Sequence, residues 1–222
     1  MALRDLSPKR RLIRAVSAIS FLEKPVQIIK WGKFVETCKC PVFNTRGDMY
    51  EYLEDTILQH APIDYLEFGV ADGDSLKTWL GLHRDSNSRF WGFDSFEGLP
   101  EDWRKGRPKG SFARGGKPPE ISDSRLDFVV GWFQETLPEF LRSFRPQGRM
   151  VIHNDSDLYS STLYTLTQLD SIAAGGTVII FDDFIDARHE FRALMDYAVA
   201  YQRKFKVIAA TRRFMQAAVL LE

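Results

Sequence analysis

From about residue 45 onward the chain alternates two hydrophobic periods. Residues 48–60 set Met49, Leu53 and Ile57 on one helical face, with Thr45 or Asp48 as the cap. Residues 65–70 are a short, nearly all-apolar run that stops at Gly69, and 75–83 is helical again. The rhythm repeats, with strands predicted at 89–94, 126–130, 149–155 and 177–183. Helices are predicted at 135–144, 160–173 and 189–203. Two last strands, 206–210 and 215–220, are joined by the polar turn 211–213. Apolar strands alternating with helices predict a parallel sheet covered on both faces. The final pair is too close in sequence for a crossover helix, so it must pair antiparallel. The expected fold is α/β: Rossmann-like, doubly wound, a mostly parallel seven-stranded sheet with an antiparallel C-terminal hairpin strand.

Composition narrows the functional classes. The 222 residues suggest one domain with an appendage. Thirty basic and thirty acidic residues leave a net charge of zero, which argues against a nucleic-acid partner held by bulk charge. No apolar run approaches the length needed to span a bilayer. The two cysteines, Cys38 and Cys40, frame neither a disulfide scaffold nor a zinc site, so a cytoplasmic location is the simplest expectation. As neighbours two apart in an extended chain they point apart, which disfavours a redox pair.

Charge is uneven. Residues 1–40 hold nine Lys/Arg against three Asp/Glu, and Leu12, Val16 and Ile19 recur at helical spacing. This basic N-terminal extension, 1–40, is set apart from a domain at 41–222. It is expected to pack on its own domain or across a homo-oligomer; contact with a membrane surface is the lesser alternative. Residues 101–120 break the strand–helix rhythm with four glycines, three prolines and six Lys/Arg. That is too long for a passive connection. It reads either as a lid-like loop over a pocket or as a disordered surface insertion.

In an open parallel sheet, ligands sit beyond the carboxyl ends of the strands. The first central strand delivers Gly69 and Gly73, which let backbone approach a ligand, followed by a helix N-terminus and the Ser75 hydroxyl. The next ends in Asp94, placed to bond the ribose hydroxyls of an adenosine ligand. No third glycine follows, which disfavours a pyrophosphate and suits an amino-acid carboxylate. Two later strands end in Asp155-Ser156-Asp157 and Asp182-Asp183. Four carboxylates at neighbouring strand ends repel unless paired, and a hard divalent cation such as Mg²⁺ would pair them. The bland alternative is that they cap helices or pair with the basic loop.

The blocks YLEFGVADGDS, FWGFDSFEGLP, VVGWFQETLP, HNDSDLYSST and GGTVIIFDDF run in order along the chain. Together they resemble the metal-dependent, S-adenosylmethionine-dependent O-methyltransferases, above all the macrocin O-methyltransferase family that methylates sugar hydroxyls. The first block also resembles the more distant catechol O-methyltransferase. The resemblance implies that Glu67, Gly69 and Gly73 shape the cofactor pocket and that Ser75 meets the methionine carboxylate. It implies that Asp94 takes the ribose, that Ser95 or Phe96 borders the adenine, and that Gly131 and Trp132 lie where the adenine ring ends. It matches Asp155, Asp182 and Asp183 to metal ligands and Asp157 to the general base. His153 is expected to be structural, and His189 a surface residue or, less readily, a substrate contact. Asn154 stands where an apolar residue is expected and could disturb the strand's packing. Trp91 is expected in the core and Trp103 over the substrate.

The implied activity is Mg²⁺-dependent O-methyl transfer to a sugar hydroxyl of a glycosylated metabolite or polysaccharide, so the expected partner is a small-molecule or saccharide acceptor. Alternatives are a small phenolic or catechol acceptor, or a cofactor-binding scaffold without catalysis.

Overall fold

The computed structural model of the protein describes residues 23–222, and the helix expected around Leu12, Val16 and Ile19 lies outside the described residues. The chain divides into two units after Cys38. Helix α1 (Glu23–Thr37) belongs to the first and closes with the Thr37 hydroxyl donating to the Phe34 carbonyl at 2.7 Å. Among the described residues no helix is long and apolar enough to cross a membrane. The Cys38 thiol donates to the Phe34 carbonyl at 3.3 Å.

The second unit is built on one sheet whose strands are β1 (Val42–Phe43), β2 (Ile63–Phe68), β3 (Arg89–Asp94), β4 (Leu126–Val130), β5 (Arg149–Asn154), β6 (Val178–Phe181), β7 (Phe205–Thr211) and β8 (Ala217–Leu221). Their order across the sheet is β1-β7-β8-β6-β5-β2-β3-β4. The seven strands expected from hydrophobic patterning are all present. The eighth, β1, is a two-residue edge strand parallel to β7, pairing Val42 with Ala210 and Phe43 with Thr211. Strand β8 lies between β6 and β7 and is antiparallel to both, and every other pairing is parallel.

This order fixes where a ligand can sit. From β2 the chain moves outward through β3 and β4, then returns to place β5 on the other side of β2. The connections leaving β2 and β5 therefore diverge, opening a crevice at their carboxyl ends. Every residue of β2 is buried, as expected of a central strand covered on both faces. On one face Tyr65 packs 5.5 Å from Trp79, which lies 5.0 Å from Tyr50. On the other, Phe68 stacks on Phe93 at 4.7 Å, and Phe140 meets Phe93 edge-on at 5.0 Å. Trp91 is half-buried against Phe140 and Phe144, close to the expected core position.

The helices covering the sheet are α2 (Arg46–Tyr52), α3 (Asp74–Leu82), α4 (Phe133–Ser143), α5 (Tyr159–Leu169) and α6 (Glu190–Ala200). Thr45 and Asp48 both cap α2: each side chain accepts from the other residue's backbone N–H, a capping box. The single helix expected over 48–60 instead widens into a π-helical turn at Leu53–Leu58. That turn carries Glu54, whose buried carboxylate meets His83 Nδ1 at 2.9 Å and His60 Nδ1 at 2.8 Å. The two histidines hold its pKa below the ordinary carboxylate value despite burial.

Candidate active site

Gly69 is the first residue beyond β2 and has φ +91°, a conformation open to glycine. A Cβ there would collide with the backbone carbonyl of Asp155. Sequence alone assigns this glycine to a ligand's approach; in the structure it admits the acid-bearing end of β5. Gly69→Ala is therefore expected to cost about 2–4 kcal/mol, from the backbone conformation and the forced displacement together. Thermal melting would show this as a fall of about 5–15 °C, and an unchanged midpoint would contradict the assigned contact.

Asp94 closes β3 and acts on the same loop. One carboxylate oxygen accepts from the N–H groups of Val70 at 2.9 Å and Ala71 at 3.0 Å, and the other accepts from Phe96 at 2.7 Å. The acid expected to read a ribose thus also shapes the turn that would face it. Below, Glu67 is wholly buried, accepting from the Tyr65 hydroxyl at 2.6 Å and the Ser75 hydroxyl at 2.8 Å. Ser75 lines the cavity, but its proton is already given to Glu67. His153 completes this layer 2.6 Å from the Tyr65 hydroxyl, the structural part expected of it. Asn154 keeps β5 in register with Phe68 and Phe181; its Oδ1 accepts the Thr165 hydroxyl at 2.8 Å, and its buried Nδ2 has no hydrogen-bond partner among the described residues.

A cavity of about 380 Å³ opens above this floor, of ligand size. Gly69, Ser75, Asp94, Ser95, Gly131 and Trp132 line it, as do all four strand-end acids. Gly73 (φ +72°) begins α3 and lies against Ile121 and Pro119, and Phe96 packs in the core 6.2 Å from Phe128. Neither these two nor the buried Glu67 reaches the cavity lining.

Carboxylate oxygens of Asp155, Asp157 and Asp183 come within 4.8 Å of one another. The grouping differs in one member from the expected Asp155, Asp182 and Asp183. Asp182 lines the same cavity but faces Arg46 on α2, 3.6 Å away. Burial, then the charges of Asp182, Glu67, Asp157 and Asp183, raise Asp155 well above the ordinary carboxylate range. Burial and a hydrogen bond shared with Asp183 raise Asp157 to about 8. Asp183 is raised as well, chiefly by burial. Asp157 sits at φ +62° in a turn closed by the Leu158 N–H donating to the Ser156 carbonyl at 2.6 Å. A non-glycine residue in that conformation is strained and needs support from its surroundings.

The insertion at 101–120 folds over the cavity. The Leu99 N–H donates to the Ser111 carbonyl and the Gly110 N–H to the Leu99 carbonyl, at 2.9 Å each. Trp103 is buried against Leu99 and Leu158, and the Arg104 guanidinium lies 3.8 Å from the Trp103 ring centroid. Trp103, Arg104, Ser111 and Phe112 all line the cavity.

A family model for a methyltransferase domain matches residues 66–184, more than half of the chain. The chain belongs to the methyltransferase-domain family. A relative from Streptomyces olivaceus, 8-demethyl-8-(2,3-dimethoxy-alpha-L-rhamnosyl)-tetracenomycin-C 4'-O-methyltransferase, is 34% identical over 70% of this chain and 66% of its own length. Demethyldecarbamoylnovobiocin O-methyltransferase from Streptomyces niveus is 33% identical over 66% of this chain and 64% of its own length. The chain thus spans about two thirds of these relatives. Among solved structures, the O-methyltransferase NovP superposes with a TM-score of 0.60 at 25% identity, covering 80% of this chain and 78% of that one. These likenesses agree with the resemblance read from the five sequence blocks.

Several residues of the methyltransferase domain's site escaped sequence reasoning. Arg46 gives no signal, because its partner Asp182 is distant in sequence and only the sheet brings them together. Glu190 carried none either: it is an acid at the start of a helix, yet it is fully buried with Oε2 accepting the Asp183 N–H at 2.8 Å. His189 is neither a surface residue nor a cavity-lining one; its Nδ1 accepts the Tyr159 N–H at 3.2 Å.

Proposed function

We propose that this domain transfers a methyl group from S-adenosylmethionine to a sugar hydroxyl of a glycosylated metabolite, with Mg²⁺ or another hard divalent ion bound at the acid cluster. The observation that carries the reading is the convergence of carboxylates from two separate strand ends on a cavity that the Gly69 turn and Asp94 also line.

The residues fit such an ion. Every candidate donor is a carboxylate oxygen, the chemistry hard cations take. Glu190 Oε1 is buried with no hydrogen-bond partner among the described residues, and Asp182 Oδ1, also without one, has the Arg46 guanidinium 3.6 Å away, so the clustered carboxyls outnumber the cations beside them. Asp155 and Asp183, with Asp182 beside them, would hold the ion, which when bound stabilises charge developing on an acceptor oxygen.

The remaining chemistry belongs to the chain. The Val70–Ser75 turn and Asp94 hold the donor at the crevice, where Asp94 faces ribose hydroxyls and Trp132 borders the base. Trp103 and Leu99 exclude water from above. The acceptor oxygen attacks the methyl carbon, the electron pair of the breaking carbon–sulfur bond stays on sulfur, and the hydroxyl proton passes to Asp157. Burial and the shared hydrogen bond with Asp183 raise Asp157 and make it a stronger base than an exposed aspartate, while a cation bound beside it would draw it back down and keep it ionised. The two relatives named as O-methyltransferases of rhamnosyl-tetracenomycin and novobiocin precursors support a sugar-bearing acceptor for this domain.

A phenolic acceptor is the second reading, favoured by the apolar wall that Leu99, Trp103, Phe112 and Trp132 present over the acids. Calorimetry with S-adenosylhomocysteine and a mass-shift screen of deoxysugar glycosides against catechols separate the cases. Gain of one methylene by the glycosides supports the proposal, and gain by catechols alone selects the second reading. Tight binding of S-adenosylhomocysteine without Mg²⁺ binding or turnover of any acceptor would indicate the non-catalytic scaffold.

A further inference from the structure

Two loops carry the acid cluster: one holds Asp155 and Asp157 after β5, the other Asp182 and Asp183 after β6. Like charges push these loops apart, and the Asp157 turn is strained. The Asp182 N–H donating to the Asn154 carbonyl at 3.0 Å and the hydrogen bond shared by Asp157 and Asp183 tie them directly, and further contacts come from α6. Two consecutive residues at the start of α6 touch one loop each. Glu190 Oε2 accepts the N–H of Asp183 at 2.8 Å. His189 Nδ1 accepts the N–H of Tyr159 at 3.2 Å.

The second contact has a local reason. Tyr159 is the first residue of α5, where a helix offers its N–H groups no intrahelical acceptor. The preceding residue, Leu158, has no side chain able to cap it. His189 supplies the missing acceptor from another helix. Because the donor is a backbone N–H, Nδ1 is the bare ring nitrogen and Nε2 carries the hydrogen, 3.9 Å from Asp186. The Tyr159 side chain reinforces the tie: Arg192 lies 4.5 Å from its ring centroid and its hydroxyl donates to Asp196 at 2.9 Å.

We infer that His189 and Glu190 are positioning residues whose adjacent side chains register the two acid-bearing loops against each other, and so set the cluster's affinity for a divalent ion. The inference rests on the proposed metal-assisted reading of the site. Neither residue lines the cavity; each acts through a backbone N–H at or within two residues of a clustered acid.

The test is calorimetric titration of Mn²⁺ into the protein saturated with S-adenosylhomocysteine. His189→Leu removes the acceptor at nearly constant shape, and His189→Asn keeps an oxygen where Nδ1 stood. His189→Leu is expected to weaken Mn²⁺ binding by about 10–100-fold, whereas His189→Asn stays within about 3-fold of the parent. Affinity for S-adenosylhomocysteine is expected to hold within about 3-fold in both, which a general loss of folding would not allow. Tyr159→Pro is a second route: it deletes the donor at the first helical position, where proline is accepted, and should weaken Mn²⁺ binding similarly. Glu190→Gln should retain binding, since its amide oxygen still accepts the Asp183 N–H, and Glu190→Leu should lose it. Parent-like Mn²⁺ affinity in His189→Leu and Tyr159→Pro would overturn the inference and leave the metal reading intact. No Mn²⁺ binding by the parent protein would overturn both.

Discussion

Asp155→Asn is expected to lower methyl transfer on the order of 10³-fold while leaving affinity for S-adenosylhomocysteine within about 3-fold. The argument starts from what the substitution leaves in place. Asparagine has nearly the volume of aspartate, and the backbone N–H of residue 155 still donates to the Phe68 carbonyl at 2.9 Å. The cavity wall formed by the Val70–Ser75 turn and Asp94 does not depend on that carboxylate. An ionisable carboxyl is lost from the centre of a set whose other members are Asp157, Asp182, Asp183 and Glu67. A divalent ion bound as proposed would lose a ligand, while the metal-free folded protein loses a crowded, desolvated carboxyl. Activity and stability should move in opposite directions. Turnover measured at saturating Mg²⁺, beside melting of the metal-free protein near pH 8, separates this from a folding defect. A variant that melts lower and binds S-adenosylhomocysteine poorly would mean that Asp155 holds the fold. Unchanged turnover would remove metal assistance from the mechanism.

Sequence legibility tracks how local each cause is. Strands β2, β3, β5 and β6 are apolar runs because both faces are covered, and that composition can be read without tertiary context. Strand β1 cannot be read this way: two residues at the sheet edge carry no period, and their pairing exists only because β7 arrives beside them. The π-helical turn around Glu54 is invisible for a related reason. Its apolar spacing is that of an ordinary helix, and the histidines meeting Glu54 come partly from α3's far end. The four aspartates were legible because strand ends in a parallel sheet face one edge. Their grouping was not: Arg46 draws Asp182 aside, so Asp157 completes the close set. A glycine after a strand reads as a ligand's approach, but the geometry at Gly69 shows the Asp155 backbone there as well. The places of Ser75 and Asp94 after β2 and β3 suggest ligand contacts; both already bond protein groups, a fact set by Glu67 and by the turn at Val70.

The metal-free protein is expected to lose stability as pH rises from about 5 to about 8.5, and Mg²⁺ to restore it at the upper end. Burial and mutual repulsion lift Asp157 from 3.8 to about 8 and raise Asp155, Asp183 and Glu190 in the same direction. Between the unfolded value and the raised folded value, the folded chain retains protons that the unfolded chain has released. Unfolding in that window releases protons, so rising pH favours it. Below about pH 4 both states are protonated and this contribution is fully present; the Asp157 part of it is gone above about 8. These groups share charge and hydrogen bonds, so their shifts do not add, and about 2–4 kcal/mol across the window is a reasonable magnitude. For a chain of this length that corresponds to a melting change of about 5–15 °C. A divalent ion binds the deprotonated carboxylates of the folded state alone, which reverses the trend at high pH. Asp155→Asn should flatten the pH dependence and blunt the rescue, because it removes both the most crowded charge and a ligand. Melting in chelator at several pH values, repeated with Mg²⁺, measures both effects. A midpoint that climbs steadily from pH 5 to 8.5, or that ignores Mg²⁺ throughout, would mean the acids are compensated by other groups and do not form an ion site.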